Sequence, residues 1–196
     1  MTVAANKLTF EEYLAYTDGT DIRYELVDGE LIAMGIGSGL HGAILKLLEK
    51  VFDAEIARLG AELVALQAAV GVRSPRRGRW DTSRIPDVSV ITLSQWRELQ
   101  NREAIIELNE PPPHLVVEVV SDSTRRTDYR AKRAEYMVLG ISEFWIVDPD
   151  EAKITVLVLV DDWYEATEYA GNSLVQSALF PDLTLTAAEI LTGGLD

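Results

Sequence analysis

The sequence predicts a mixed α/β fold with a central sheet flanked by helices, and three observations predict it. A strand–helix–strand unit runs from the apolar stretch at residues 115–120 to a second apolar strand at residues 144–147. A crossover of this kind places its two strands parallel. An Asp-Gly pair between two apolar runs is typical of a β-hairpin near the N-terminus. Two strand-like runs, residues 153–160 and 164–169, indicate an antiparallel pair near the C-terminus.

The first elements along the chain are a short helix and the hairpin. Residues 8–16 predict a helix with Thr9 as its N-cap, and Glu12 completes a capping box. The hairpin strands are expected at residues 23–27 and 30–34, on either side of the Asp-Gly turn. Both elements are therefore defined by local signals alone.

A glycine-rich loop and a long helix follow the hairpin. The loop at residues 35–39 lacks the lysine and the spacing of a phosphate-binding loop. Apolar residues then recur at helical spacing over residues 40–59, and Gly60 is expected to end that helix. Residues 62–72 predict a strand. Pro86 introduces the next strand, at a position where the missing N–H does least harm.

The second half of the chain continues the alternation of helices and strands. Residues 93–108 predict one or two short helices, and the strand at 115–120 follows a stiff proline-rich segment. A helix is expected at residues 127–139. The antiparallel pair is followed by one more short strand and a helical turn at residues 187–191. No repeat or linker divides the chain, so residues 1–196 are expected to form a single domain.

The composition limits the chemistry that the chain can perform. Of its 196 residues, 47% are hydrophobic, and no apolar run approaches the roughly 20 residues that cross a bilayer. The N-terminal residues lack a signal-peptide core, so we expect a cytoplasmic protein with no membrane partner. There is no cysteine and there are only two histidines, so any metal must be bound by oxygen ligands rather than as zinc.

The net charge of −14 opposes nucleic-acid binding, but the basic residues are concentrated. Ten of the 18 lie in two segments, one before the strand that starts near Pro86 and one after the strand at 115–120. Two solvated loops are one interpretation, and a grip on the nucleic-acid backbone is the other. In the second interpretation the contacts come from Arg76, Arg77, Arg79, Arg125, Arg126 and Arg130.

Two carboxylates and a lysine form the candidate site. Asp87 leads a Val/Ile strand, and Glu118 interrupts the apolar run at residues 115–120. A carboxylate inside a buried strand is costly unless it is paired or bound to a cation. The partner of Glu118 is a divalent cation in one interpretation and an arginine in the other. With Lys132 on the following helix, the group suits metal-assisted phosphodiester hydrolysis.

Other residues are weaker candidates for the same site. Glu25 lies on the first hairpin strand and could supply a third ligand, whereas His41 near the start of the long helix could reach substrate or metal. Asp128, Lys132 and Tyr136 are spaced i, i+4 and i+8, so they share a helix face. A surface Asp–Lys pair is the alternative for Lys132, and packing is the expected role of Tyr136.

The order of these motifs resembles the Uma-type endonuclease family, which is abundant in cyanobacteria and belongs to the restriction-endonuclease-like, PD-(D/E)xK superfamily. The resemblance covers nearly the whole chain. It rests on Tyr24-Glu25-Leu26-Val27-Asp28-Gly29-Glu30-Leu31, Pro86-Asp87-Val88, Val117-Glu118-Val119-Val120-Ser121, the stretch from Asp128 through Lys132 to Tyr136, Gly140-Ile141-Ser142-Glu143-Phe144-Trp145-Ile146-Val147-Asp148-Pro149 and Phe180-Pro181-Asp182-Leu183.

The resemblance implies a restriction-endonuclease-like mixed central sheet in a single nuclease-like domain, with an N-terminal hairpin and antiparallel C-terminal strands. It implies Mg²⁺ (or Mn²⁺) held by Asp87 and Glu118, and the Val119 carbonyl is a further expected ligand. The superfamily places its lysine at the position of Val120 here, and Lys132 matches the migrated lysine of the family. We therefore expect a metal-dependent endonuclease that acts on nucleic acid, with DNA as the expected polymer. The alternative is an inactive nuclease fold that acts as a homodimeric DNA-binding or protein-interaction module.

Overall fold

The computed structural model describes residues 7–75, 81–121 and 124–195. In these ranges strands and helices alternate as in a mixed α/β protein, and one π-helical turn precedes a helix. The strands are β1 (Tyr24–Val27), β2 (Glu30–Ala33), β3 (Leu63–Gln67), β4 (Gly71–Arg73), β5 (Ser83–Arg84), β6 (Val88–Thr92), β7 (Ile105–Ile106), β8 (Leu115–Val119), β9 (Glu143–Asp148), β10 (Lys153–Val160) and β11 (Trp163–Ala170). The helices are α1 (Phe10–Leu14), α2 (Gly39–Leu59), α3 (Leu93–Leu99), α4 (Arg133–Leu139) and α5 (Ala187–Leu191), and the π-helical turn spans Thr127–Lys132.

A six-stranded mixed sheet forms the centre of the molecule, in the order β11-β10-β9-β8-β6-β3. Strands β8 and β9 are parallel, with Leu115 opposite Glu143, which confirms the crossover expected from the sequence. Strands β10 and β11 pair antiparallel along their whole length, so the expected C-terminal pair is also confirmed. Strands β6 and β8 are antiparallel, and Val88 pairs with Val117.

The hairpin belongs to a second, five-stranded sheet in the order β2-β1-β5-β4-β7. Its turn residues Asp28 and Gly29 have φ values of 52° and 80°. Both φ values are in the left-handed region. A favoured two-residue hairpin turn requires this conformation, and an Asp-Gly pair tolerates it. Gly29 also packs closely on Leu8, since a Cβ built there would lie 2.9 Å from the Leu8 carbonyl oxygen.

Three regions differ in detail from the expectation. The strand region expected at residues 62–72 is divided into β3 and β4, which join different sheets on either side of Ala68, whose φ is 42°. The region 93–108 contains α3 as expected, but it also contributes strand β7. The extra C-terminal strand is reduced to an isolated bridge between Leu174 and Thr186. In each case long-range pairing decides the outcome, and local propensity does not report such pairing.

Helices cover both faces of the central sheet. On one face α2 buries Ile44, Leu48 and Phe52 against Trp145 of β9. Gly60, with φ of 61°, ends α2 as predicted. On the other face Tyr136 of α4 packs edge-to-face on Phe144, with ring centroids 5.1 Å apart. Each fully buried apolar side chain of this kind contributes roughly 1.5–3 kcal/mol, so the two faces hold the sheet rigidly.

The helix after β8 has the predicted extent but an unexpected start. Residues Thr127–Lys132 are π-helical, and Gly140 in the left-handed region ends α4. A π-helical turn is wider than an α-helical one and is uncommon except near functional sites. Here it contains two buried charged residues, Asp128 and Lys132. Among the residues that the structure describes, no helix is long and apolar enough to cross a membrane.

Candidate active site

A cavity of about 800 Å³ lies between the hairpin, the start of α2, the end of β8 and the π-helical turn. The structure brings all five of the predicted catalytic and metal-binding residues into its wall. They are Glu25, Asp87, Glu118, Val119 and Lys132. His41, Arg84 and Asp128 also line it.

Asp87 lies just before β6 and faces the end of β8. Because Val88 pairs with Val117 in an antiparallel ladder, the next position places Asp87 opposite Glu118. The Asp87 Oδ2 atom accepts a hydrogen bond from the Val119 backbone N–H at 2.7 Å. The amino-terminal end of β6 and the carboxyl-terminal end of β8 are thereby tied together at the cavity.

His41 is the second partner of Asp87. Its Nε2 atom is 3.3 Å from the same Oδ2 oxygen, and this hydrogen bond raises the pKa of His41 above its usual value. Ser38 caps α2 by accepting from the His41 N–H. A Cβ built on Gly37 would lie 2.6 Å from His41 Nδ1, so a larger residue at position 37 would require the His41 ring to move.

Glu118 is clamped at both carboxylate oxygens. It is 2% exposed on β8, where its neighbours along the strand are apolar. Its Oε2 accepts from the Lys132 ammonium at 2.7 Å and its Oε1 from the Tyr136 hydroxyl at 2.6 Å. Burial raises the pKa of Glu118 well above its usual value; Lys132 opposes that rise, and the nearby carboxylates add to it.

Lys132 is buried, so the surface Asp–Lys alternative is wrong. Its Nζ lies 2.7 Å from Glu118 Oε2, 3.2 Å from Asp128 Oδ1 and 3.9 Å from Glu25 Oε1. Burial by itself would lower the pKa of Lys132, but the three carboxylates outweigh it and raise that pKa. The side chain is therefore held as a cation beside the two carboxylates of the candidate site.

Tyr136 contributes more than the packing role expected of it. Its hydroxyl is fully buried, and burial followed by the contact with Glu118 raises the pKa of Tyr136 well above its usual value. The phenol is therefore a fixed hydrogen-bond donor. The i, i+4, i+8 spacing predicts that Asp128, Lys132 and Tyr136 share a helix face, and in the structure Lys132 and Tyr136 both contact Glu118.

A buried arginine network supports the site from behind, and no sequence pattern indicates it. Arg84 belongs to the basic segment before Pro86, yet it is 1% exposed on β5. It donates two hydrogen bonds to Glu135 of α4, at 2.7 and 3.0 Å, and one to Glu25 at 3.0 Å. Glu25 also accepts from the Ile85 N–H at 3.0 Å. The network joins the five-stranded sheet to α4.

The predicted nucleic-acid contacts fall into three groups. Arg76, Arg77 and Arg79 lie outside the described residues. Arg125 is engaged by Asp148 and Asp150, which neutralise much of its charge. Arg126 and Arg130 are exposed and share a shallow surface pocket with Tyr129. These two therefore supply the accessible positive charge of this surface.

The donor set around the cavity has the chemistry of a site for a hard cation. Five carboxylate side chains line the cavity, against two side chains with permanent positive charge, Arg84 and Lys132. One buried oxygen, Asp128 Oδ1, has no hydrogen-bond donor directed at it. A divalent cation would relieve this excess of acid. However, within the described ranges no three Asp, Glu or His side chains converge as metal ligands, and both Glu118 oxygens contact other side chains.

The fold and the cavity are those of a restriction-endonuclease-like protein. The sequence profile of a family described as "Uma2: Putative restriction endonuclease" matches residues 10–188. The chain belongs to this Uma2 family.

A solved structure shares the fold of this chain. It is the crystal structure of a "putative nuclease belonging to DUF820" from Anabaena variabilis ATCC 29413, which is 21% identical to this chain. The alignment covers 96% of this chain and 99% of the other, with a TM-score of 0.75. No curated protein matches the chain.

Proposed function

We propose that the protein is a metal-dependent endonuclease that hydrolyses nucleic-acid phosphodiesters, with DNA as its substrate and Mg²⁺ or Mn²⁺ as its cofactor. One observation carries the proposal. The Lys132 ammonium contacts Glu118 at 2.7 Å in a cavity that also contains Asp87. The segment that carries Lys132 therefore brings an amine to Glu118, and the superfamily pattern would place that amine at Val120.

The metal ligands in this proposal are Asp87, Glu118 and the carbonyl oxygen of Val119. When bound, the cation would lower the pKa of a water molecule and offset charge on the scissile phosphate. Glu118 would have to exchange one of its two present contacts for the cation. Tyr136 and Lys132 then determine which oxygen is free, because each donates to a different one.

The other residues of the cavity hold the reacting groups in place. Lys132 supplies positive charge beside Glu118, where negative charge builds up on the phosphate. His41 fixes the orientation of the Asp87 carboxylate through the 3.3 Å contact to its Oδ2. Glu25 balances the charge of Lys132 from the far side, at 3.9 Å.

Nucleic acid would approach across the exposed arginines beside the cavity. Arg126 and Arg130 lie on the solvent side of the segment whose inner side carries Asp128 and Lys132. Phosphate contacts made by such residues weaken as salt rises, since binding releases counterions. Arg125 contributes less, because Asp148 and Asp150 already engage it.

Cleavage of supercoiled plasmid with Mg²⁺ or Mn²⁺ tests the proposal. The wild type should nick the plasmid, and Asp87→Ala, Glu118→Ala and Lys132→Met should each lower the rate by at least a hundredfold. Lys153→Met is the matched control, because Lys153 also pairs with a carboxylate at 2.7 Å but lies at the surface. Cleavage that survives both alanine substitutions would place the active site elsewhere.

A second candidate function is favoured by the same clamp on Glu118. Because Lys132 and Tyr136 satisfy both of its oxygens, the chain could bind DNA or protein as a homodimer without cleaving it. The acidic net charge of −14 agrees with protein partners. DNA binding without nicking under any divalent cation, with a dimer in sedimentation, would favour this function over the nuclease.

A further inference from the structure

The lip of the cavity on the side of the hairpin is apolar and carries no charge. Residues 31–40 contain no Asp, Glu, Lys or Arg, in a chain of which 26% of the residues are charged. Four large apolar side chains of this apolar lip line the cavity: Ile32, Met34, Ile36 and Leu40. We propose that the apolar lip contacts a nucleobase of the substrate and that Ile36 inserts into the base stack. This contact rests on the proposed function, in which the cavity takes a nucleic-acid strand.

The register of the hairpin turns the apolar lip towards the cavity. Ile32 lies opposite Glu25 in the antiparallel pair of β1 and β2, so both side chains are on the same face. Met34 follows two positions later. Its N–H donates to the Arg23 carbonyl at 2.9 Å, so the pairing continues and Met34 shares that face. Because Glu25 lines the cavity, this face of the hairpin is one of the cavity walls.

Ile36 projects from a loop that is anchored beside the site. Its side chain is fully exposed, so it contributes nothing to the core. A Cβ built on Gly35 would meet no heavy atom of the described residues within 4 Å. On the other side, Gly37 abuts the His41 ring, which contacts Asp87 at 3.3 Å. An apolar side chain presented in this way can separate two bases, because proteins that kink DNA use isoleucine, leucine and methionine as such wedges.

The distribution of charge indicates which part of a nucleotide the apolar lip takes. A chain with a net charge of −14 repels a polyanion, so a nucleic acid approaches most easily across its neutral or basic segments. The apolar lip is neutral, and the exposed Arg126 and Arg130 belong to the segment at another side of the cavity. The phosphates then lie towards the arginines, while the apolar face of a base meets the lip.

A second copy of the chain fits the apolar lip less well than a base does. A stable protein interface uses about 20–30 residues on each side, whereas the lip offers four large apolar ones. A partner seated on Ile36 and Leu40 would also cover the mouth of the cavity, because both residues line it. A single base needs no more than a surface of this size.

The fluorescence of 2-aminopurine tests for insertion by the full-length protein, because this base emits weakly in a stack and strongly outside it. Duplex oligonucleotides carry it in place of adenine at several positions, and the titration is made with EDTA and again with Ca²⁺ in place of Mg²⁺. Saturating wild-type protein should raise the emission. Ile36→Ser should abolish the rise at saturation and weaken binding, followed by anisotropy, by about fivefold, the loss expected for one base contact.

Two further variants serve as controls. Ile36→Leu should keep the rise in emission, because it retains an apolar side chain at the same place. Leu59→Ser should also keep it, since Leu59 is an exposed leucine at the opposite end of α2.

The outcomes distinguish the base contact from the proposed function. A wild type that binds without raising the emission, or an Ile36→Ser variant that raises it as much, would overturn the base contact alone. If Ile36→Ser also dissociated a dimer in sedimentation while the rise persisted, the lip would belong to a second copy instead. A wild type that raises the emission but never nicks plasmid would keep the base contact and overturn the proposed cleavage. No binding under either condition would overturn both.

Discussion

Replacing Arg84 with Met should severely destabilise the protein, because Arg84 is a buried cation paired with two carboxylates. The guanidinium makes three hydrogen bonds, two to Glu135 and one to Glu25. Met has a similar length and fills most of the space, so the change removes charge more than volume. Both carboxylates lose the guanidinium that pairs with them, in a region that water hardly reaches.

The magnitude follows from the burial of the pair. Removing one partner of a buried ion pair costs about 3–5 kcal/mol, because an uncompensated charge remains. Arg84 is 1% exposed and Glu135 is 4% exposed, so solvent screening gives little relief. A protein of this size loses about 2–4 °C of melting temperature per kcal/mol, which predicts a fall of roughly 6–20 °C.

Urea unfolding followed by tryptophan fluorescence measures this loss, and the buried Trp145 reports on it. Arg84→Met with Glu135→Met should recover at least half of the lost free energy, since an apolar pair replaces the ion pair. Arg58→Met is the matched control, because Arg58 also pairs with two carboxylates but its side chain is 45% exposed. If Arg84→Met cost no more than Arg58→Met, the reasoning from burial would be refuted.

Three further predictions concern the site and its surroundings. Tyr136→Phe should cost about 1.5–3 kcal/mol of unfolding free energy, because Glu118 loses its buried donor, and an unchanged urea midpoint would contradict the 2.6 Å contact. Burial raises the pKa of Glu143 in the folded protein. The contribution of Glu143 to stability is therefore complete below the ordinary Glu pKa, and it declines as pH rises through the pKa of the folded state. Unfolding titrations from pH 4 to 8 should therefore show wild type losing stability relative to Glu143→Gln as pH rises; a constant difference would exclude this. The double variant Arg126→Ala with Arg130→Ala should make the slope of log DNA affinity against log salt concentration less negative by about 0.9 for each residue removed. Fluorescence anisotropy measures that affinity, and an unchanged slope would show that neither arginine belongs to the interface.

Much of the fold was predictable because its signals are local. The capping box of Thr9 and Glu12, the left-handed turn at Gly29 and the end of α2 at Gly60 all involve residues within a few positions of one another. The parallel crossover from β8 to β9 was also predictable, because the handedness and length of such connections leave few alternatives. The division at Ala68 was not, since it depends on which sheet each half joins.

The candidate site was predicted only in part for the same reason. Glu118 was predicted as a site residue because a carboxylate within an apolar strand needs a partner. Lys132 was predicted because its helix follows that strand. Arg84 lies in a basic segment of the sequence, and its partner Glu135 lies 51 positions away. The sign of the charge around Arg84 in the folded protein cannot be inferred from its neighbours in the chain.

The sequence by itself determined most of the order of elements, the parallel pair and the three side chains of the proposed site, Asp87, Glu118 and Lys132. These follow from hydrophobic periodicity, turn chemistry and the cost of burying charge. Only the tertiary structure decided how the charges are paired: Lys132 among three carboxylates, both oxygens of Glu118 engaged and Arg84 buried behind them. The physical reason is that pairing of buried charges depends on distances of a few ångströms between segments far apart in the chain, and no local pattern encodes them.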